Sequence, residues 1–479
     1  MSRYLVTIGL ETHVQLKTLT KMFCGCSLTF GEEPNTNVCP VCLGYPGALP
    51  VMNREAVRLT VLSGLMLGCE INRHSTFDRK NYFYPDMSKD YQISQNTHPL
   101  CLGGGVTIET PEGPKRIRIN HIHLEEDAAK INHYAQFSGV DFNRCGTPLM
   151  EIVSEPDLAS PDEAMAYLLA LRQQLVYAGV SDCNLEEGNM RSDVNISIRP
   201  EGQTEFGTRV EIKNMNTFKG IHAALKYEIA RQLAVVRGNG TLVQETRRWD
   251  PEQGETQSMR SKENAHDYRY FPEPDLVPVA LTDVQIEAWR EQLPEAPAAR
   301  RERMMAEYGL PAYDAGVLAD IRENADFFEA AVRASKPGMG KAVSNWFMTE
   351  VMRLLAETGQ PVGACALTPA ALAELVQLVE EGVINGPTAK ELLPELFHEG
   401  GMPAARVEAR GLAQVSDDAA LHAFIDQVFR ENGKSVEDYR AGKKAAAGFL
   451  VGQVMKVSHG KADPKRVGRL VAERLATRT

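Results

Sequence analysis

Four cysteines, Cys24, Cys26, Cys39 and Cys42, stand in a C-x-C, twelve-residue, C-x-x-C arrangement within nineteen residues. Paired knuckles of this kind each deliver two thiolates from a tight turn, and four thiolates at ~2.3 Å complete a tetrahedral zinc shell. Pro40, Gly25 and Gly44 suit such turns. A closed four-sulfur shell leaves no open position, so the pattern predicts a structural zinc and leaves any reaction to other residues.

Carboxylates on alternating segments supply the candidates. In VTIGLETHVQL, strand alternation places Val6, Ile8 and Leu10 on one face and Glu11 with His13 on the other. In SDVNISIRP, Asp193, Asn195, Ser197 and Arg199 share a face opposite Val194, Ile196 and Ile198, and in TRVEIKN Glu211 lies with Lys213. In KRIRINHIHLEED, regular alternation would set Ile117 and Ile119 beside His121, His123 and Glu125, with Ile122 and Leu124 opposite. The apolar phase changes partway, as it does at a β-bulge. For any one strand a solvated outer face is the ordinary explanation. Four strands offering acids, His and Lys on one face set a concave polar cradle against that explanation, and hard oxygen donors are what Mg²⁺ takes.

Phosphoryl transfer is chemistry that such a cradle suits, because it needs little beyond positioning, a divalent cation and a lysine beside the phosphates. No Walker motif is present: GKS at Gly433–Ser435 lacks the upstream glycine, and LGGGVT at 102–107 reads as a hairpin turn. FDRKNYFYPDMSKDYQISQ, residues 77–95, offers Lys80 and Lys89 with Tyr82, Tyr84, Tyr91 and Ser88, a mixture able to bind phosphate and a polar carbonyl.

The elements that must hold these residues fall into two regimes. A chain of 479 residues exceeds the ~250–300 that one core usually serves, so several domains are expected. Up to about residue 272, short alternating segments including Arg116–Leu124, Asp193–Arg199 and Arg209–Lys213 predict a mostly antiparallel sheet. FPEPDLVPVALTD, with Pro272, Pro274 and Pro278, supports neither a helix interior nor a full strand ladder and marks a boundary, with Thr282 or Asp283 as the cap of the next helix. Lys341–Glu357, Pro369–Glu381 and Thr388–Phe397, the last kinked or stopped near Pro394, have the apolar spacing of a small bundle. The expected class is α+β: a β-rich cradle over 1–281, a helical domain over 282–408 and a small basic helical tail over 409–479.

Composition bounds the setting. The net charge of −11 argues against nonspecific coating of nucleic acid or of anionic membrane. From Gly433 onward eleven Lys and Arg face four Asp and Glu, which leaves +7 on the tail and −18 on the rest. That tail reads either as a polyanion-binding end or as a solvated basic face. No apolar stretch approaches the ~20 residues that span a bilayer, and MSRYLVTIGLETH has no export signal. Nine cysteines, four at ligand spacing, suit a reducing compartment, so a cytoplasmic location is expected.

IGLETHVQL, the C-x-C and C-x-x-C pair, RKNYFYPDMSKDYQISQ, HLEEDAAK, CGTPLMEIVSEPD, MRSDVNIS, RVEIKNMN and KENAHDYRYFPEPDL together resemble the B subunits of the bacterial tRNA-dependent amidotransferases, the GatB/GatE family of the GatCAB complex. The ending GKKAAAGFLVGQVMKVSHGKADPKRVGRLV is similar to the helical tail shared with the YqeY family, so the resemblance spans the whole chain.

It implies an enzyme that takes tRNA(Gln) or tRNA(Asn) mischarged with Glu or Asp, phosphorylates the side-chain carboxylate with ATP and Mg²⁺, and forms the amide with ammonia. By resemblance Glu11, His13, Glu125, Glu126, Glu151 and Asp193 fall at the catalytic pocket. Glu11, His13, Glu125 and Asp193 hold magnesium there, His13 either as a ligand or by orienting water, and Lys80 stands near the phosphate. Tyr82, Ser88 and Lys89 complete the cofactor side, at the acceptor end or along the ammonia path. Neither a Ser-cis-Ser-Lys arrangement nor a Cys-His-Glu set outside the clamp is present to release ammonia from glutamine, in accord with the family's glutaminase A subunit and small C subunit. Two rivals stand beside this reading: a noncatalytic zinc-stabilised tRNA-binding scaffold, and the archaeal E-type subunit, for whose central insertion the chain has no room.

Overall fold

The structure, a computed structural model, describes residues 3–185, 187–215, 217–261, 268–414, 418–458 and 462–476. The expected motif residues 262–267 (KENAHD) and the last three residues of the tail lie outside that set. The chain forms two compact units, Met1–Ala296 and Pro297–Thr479.

The first unit is built on a twisted sheet whose central strands are β1 (Tyr4–Gln15), β2 (Gly113–Glu126), β3 (Pro148–Ser154), β4 (Met190–Pro200) and β5 (Val210–Lys213). Two further strands, β6 (Glu245–Asp250) and β7 (Glu255–Ser261), complete one side. The order is β7-β6-β5-β4-β1-β3-β2, continued by the short strands Cys101–Leu102 and Glu70–Ile71. All these pairs are antiparallel except β5 with β6. The expected mostly antiparallel sheet is therefore present.

Alternation decides which face is dry. Ile8, Leu10 and Val14 of β1, Met150 and Ile152 of β3, Val194 and Ile196 of β4, and Val210 and Ile212 of β5 all belong to one buried cluster. Three helices contribute to the same cluster: α1 (Arg54–Met66) through Val57 and Val61, α2 (Pro161–Tyr177) through Leu168, Leu171 and Leu175, and α3 (Phe218–Arg237) through Ile221 and Leu225. Each helix starts where a side-chain oxygen satisfies free N–H groups: Asn53 for Glu55 and Ala56, Ser160 for Glu163, Thr217 for Gly220. With helices covering the apolar face, the polar side chains of the same strands share the other.

The phase change in β2 is a bulge. Ser154 pairs with Ile119 and Val153 with His121, so Asn120 has no partner of its own. Ile117, Ile119, Ile122 and Leu124 consequently all reach the core, while His121, His123 and Glu125 turn to the polar face.

Proline shapes the run after residue 270 into fragments. Phe271–Pro272 pairs with Asp78–Asn81, and Val279–Ala280 with His74–Ser75. Thr282 then caps the helix Asp283–Arg290 in a full capping box, and its Ile286 and Trp289 join the core of the first unit.

In the second unit, one buried cluster runs from Met304 to Val407 and another from Leu421 to Leu475. The helix expected over 341–357 is Gly340–Trp346, a π turn at Phe347–Val351 and Met352–Thr358. Gly386–Glu399 continues through Pro394 rather than stopping there; Leu392, Leu393, Leu396 and Phe397 on either side of the proline are all buried, and that packing outweighs one missing backbone bond. Among the described residues no helix is long and apolar enough to cross a membrane.

Candidate active site

Cross-strand register assembles the polar face. His13 lies opposite Arg191 on one side and Glu151 on the other, and Glu151 lies opposite His123, so four strands set Arg191, His13, Glu151 and His123 in one row. The neighbouring row is Asp193, Glu11, Val153 and His121. These residues line a cavity of about 620 Å³ together with Lys80, Tyr82, Glu125, Asp127, Glu211, Lys213, Tyr268 and Tyr270. Six carboxylates against Lys80, Arg191 and Lys213 make it a site of negative potential.

At its centre His13 Nε2 lies 3.5 Å from Glu125 Oε1 and 3.4 Å from Glu151 Oε2. One ligand-type atom from each of His13, Glu125 and Glu151 falls within 4.8 Å of the others. His123 Nε2 is 3.4 Å from the same Glu151 oxygen, and its buried Nδ1 has no partner. Burial works against an imidazolium at His13, but the Glu151 hydrogen bond and the charges of Glu151 and Glu125 outweigh it and raise its pKa. His123 is likewise carried up to about 9 against its burial, by hydrogen bonds to Glu125 and Glu151. Its ring stacks on His121, which burial and the His123 charge push down to about 4. Burial raises the carboxyls of Glu125 and Glu151, but the two histidines reverse this and hold both below the usual range. The pocket thus favours positive charge between those carboxylates, which is the property a divalent cation site requires.

Around this centre the other groups are held by specific partners. Lys213 Nζ pairs with Asp193 at 2.6 Å and Glu211 at 3.1 Å. Glu11 accepts a hydrogen bond from Asn195 at 2.8 Å, and burial followed by the Glu151 charge raises its carboxyl. Arg191 pairs with buried Asp127 at 3.0 Å. The Lys80 ammonium sits 4.9 Å from the centre of the Tyr268 ring.

The structure brings Glu11, His13, Lys80, Tyr82, Glu125, Glu151 and Asp193 into one cavity, but not every expected residue. Glu126 follows Glu125 on β2 and therefore points the other way, into a second cavity of about 220 Å³, where it pairs with Lys89 at 2.7 Å and accepts the Ile93 N–H at 3.0 Å. Ser88 donates to the Cys42 carbonyl at 2.7 Å. The tight cation-type trio includes Glu151, whereas Glu11 and Asp193 stand one row away with Asn195 and Lys213 as partners. Sequence reasoning missed Arg191, Asp127, Tyr268 and Tyr270. Arg191 continues the alternation of Asp193 and Asn195, a signal that was available; the tyrosines arrive on a segment with no periodicity.

Four sulfurs around one zinc ion at ~2.3 Å stand about 3.8 Å apart, and the thiols of Cys24, Cys26, Cys39 and Cys42 lie within 4.8 Å of one another, with Cys39 and Cys42 at 4.0 Å. The Cys24–Cys42 hydrogen bond lowers the Cys42 thiol and raises that of Cys24, so the sulfurs share one proton network in which Cys42 is the first to reach the thiolate form. The Cys39 N–H also donates to the Cys42 sulfur at 3.2 Å. Gly44 ends this turn at a φ of +69°, where a Cβ would come within 2.8 Å of the Ser88 carbonyl, so no other residue fits. The residues present suit zinc, and they suit it as a closed site.

Comparison with known proteins agrees with this geometry. A GatB/GatE catalytic domain matches residues 6–287 and a GatB domain matches residues 326–475. The chain is 52% identical to the B subunit of the aspartyl/glutamyl-tRNA(Asn/Gln) amidotransferase of Caldanaerobacter subterraneus subsp. tengcongensis, covering 99% of this chain and 100% of that one. The proteins of the same name from Myxococcus xanthus and Geobacter sulfurreducens are 51% and 50% identical, with at least 98% of each chain covered.

Proposed function

The chain belongs to the GatB/GatE family, and from that premise we propose how its acid-lined cavity performs the tRNA-dependent amidation of mischarged Glu-tRNA(Gln) or Asp-tRNA(Asn). It is an amidotransferase B subunit, a ligase-type enzyme of a multi-subunit complex that uses ATP. The observation that carries the mechanism is the convergence of His13, Glu125 and Glu151 from three separate strands: His13 lies 3.5 Å from Glu125 and 3.4 Å from Glu151, in a cavity also lined by Lys80 and Lys213.

His13, Glu125 and Glu151 would hold Mg²⁺, with Glu11 and Asp193 lining the same cavity. When bound, the ion supplies charge neutralisation for a triphosphate. Lys80 and Lys213 bind phosphate oxygens, and Tyr82, Tyr268 and Tyr270 form a wall for the aminoacylated end of the tRNA. A largely apolar cavity of about 310 Å³ lined by Gly9, Val153, Pro156 and Phe206 shares Glu11 with the acidic one and receives the nucleotide base. The substrate carboxylate attacks the γ-phosphorus and ADP leaves. Ammonia then attacks the acyl carbon and phosphate leaves in place of hydroxide, a far poorer leaving group. Glu11, with its raised carboxyl, takes the proton the new amide sheds.

Ammonia comes from a glutaminase A subunit, with a small C subunit completing the complex, and enters by the cavity that holds Lys89 and Glu126. The basic Gly433–Thr479 region contacts tRNA, and zinc in the cysteine clamp is structural. The reaction takes place in the cytoplasm with the tRNA pool. The test is amidation of both mischarged tRNAs by the reconstituted complex, omitting ATP and Mg²⁺ in turn. Glu125→Gln and Asp193→Asn are assayed beside the parent. ADP formation at the parental rate by Glu125→Gln would remove the trio from the reaction; tRNA binding without any ADP would favour a scaffold.

A further inference from the structure

Lys21 is the only buried lysine among the described residues, with no solvent exposure at all. It precedes the first knuckle, and its backbone N–H closes that knuckle on the Cys26 carbonyl at 3.0 Å. Its Nζ lies 3.6 Å from Cys42 Sγ and donates to the Phe142 carbonyl at 3.0 Å. Among the described residues no carboxylate lies within ion-pair distance of this ammonium; the nearby Glu126 is engaged by Lys89 and the Ile93 N–H.

A lysine ammonium with no solvent-exposed surface calls for opposite charge beside it. Among the described residues the candidate in contact is the Cys42 sulfur, 3.6 Å from Nζ. Four thiolates around Zn²⁺ carry a net charge of −2, and Cys42 is the most buried of the four, so its excess charge is the least hydrated. Each needs the other: the metal-bound sulfur neutralises the ammonium, and the ammonium offsets charge on the most buried of the four sulfurs.

We propose that Lys21 is the counter-charge of the cysteine clamp, retaining the metal through the Cys42 sulfur and tying the clamp, through the Phe142 carbonyl, to the segment that leads into β3. This rests on the reading of the clamp as a zinc site. Lys21 is a positioning residue: it touches no substrate and acts through the metal ligand. The Met22 N–H to Gly146 carbonyl bond at 2.7 Å runs alongside the Phe142 contact, so the same short stretch is stitched to the loop before β3 at two points.

The test uses the full chain loaded with zinc or with cobalt as Lys21→Met, which removes charge and hydrogen bond, and Lys21→Gln, which keeps a donor for Phe142 but removes the charge. Zinc transfer to 4-(2-pyridylazo)resorcinol should be faster in both by roughly 10–100-fold, the range seen when a partner of a metal ligand is lost. In the cobalt form the sulfur-to-metal charge-transfer band should move to longer wavelength, because the Cys42 sulfur gives up its electrons more readily without the ammonium. A change of packing alone leaves that band in place. If Lys21→Met does not fold, Lys21→Gln decides. A folded Lys21→Gln with the parental release rate or the parental band overturns the proposal. A parent chain that takes up neither metal overturns the zinc reading itself, and this inference with it.

Discussion

The cysteine clamp and the acidic trio both gather ligand atoms within 4.8 Å of one another, yet they are built in opposite ways. The clamp draws four soft sulfurs from nineteen consecutive residues and closes the shell around them. The trio draws one imidazole and two carboxylates from three strands and opens on a 620 Å³ cavity. A closed, local site can fix a loop but cannot admit a substrate; an open site assembled by sheet register can admit one but depends on the whole sheet for its geometry. The difference separates the part of the molecule that holds from the part that reacts.

That contrast is testable by damaging each side. Glu151→Gln keeps the shape of the trio and removes a charge, and ADP formation with mischarged tRNA by the reconstituted complex should fall by about 10²–10³-fold while zinc content stays parental. Parental turnover would show that the open site is not where the reaction occurs. Phe206→Ala tests the apolar cavity beside Glu11: KM for ATP should rise roughly 5–100-fold with the KM for tRNA unchanged, the range for losing one base–aromatic stack. Deleting Gly433–Thr479 should weaken tRNA binding and lower the log–log salt slope by roughly 0.7–0.9 per lost phosphate contact, measured by filter binding at several salt concentrations. An unchanged slope would take the tail out of the RNA interface. The smallest effect on chemistry is expected at the clamp. Cys39→Ser should lower the thermal midpoint while turnover per folded molecule stays at the parental value, and a loss of turnover in fully folded protein would erase the distinction between the two sites.

How far each site could be read from the chain follows from the same contrast. The clamp is visible as a spacing because its ligands are sequence neighbours. Glu11 and His13 are visible as one face of β1, and the bulge in β2 is visible as a change of apolar phase. Which acids meet is a matter of register, however, and no single strand carries that information. Glu151 joins the trio because it lies opposite both His13 and His123, while Asp193, equally acidic and also on the polar face, is drawn to Lys213. Glu126 shows the limit most clearly: adjacent to Glu125 in sequence, it belongs to another cavity because a strand turns its side chains to alternate sides. Tyr268 and Tyr270 reach the cavity on a segment held by long-range contacts, the pairing of Phe271–Pro272 with Asp78–Asn81 and the Asn81 hydrogen bonds to the Tyr268 and Arg269 carbonyls, which local patterning does not reveal.

Asn120, the unpaired residue of β2, gives the chain an odd step in an otherwise even count. Shortening the protein by that one residue would leave every side chain of His121–Glu126 facing as it now does, whereas a single deletion at any other paired position of the strand would invert one half of it and exchange the occupants of two compartments. Length variants of this strand should therefore be tolerated at one place and nowhere else along it.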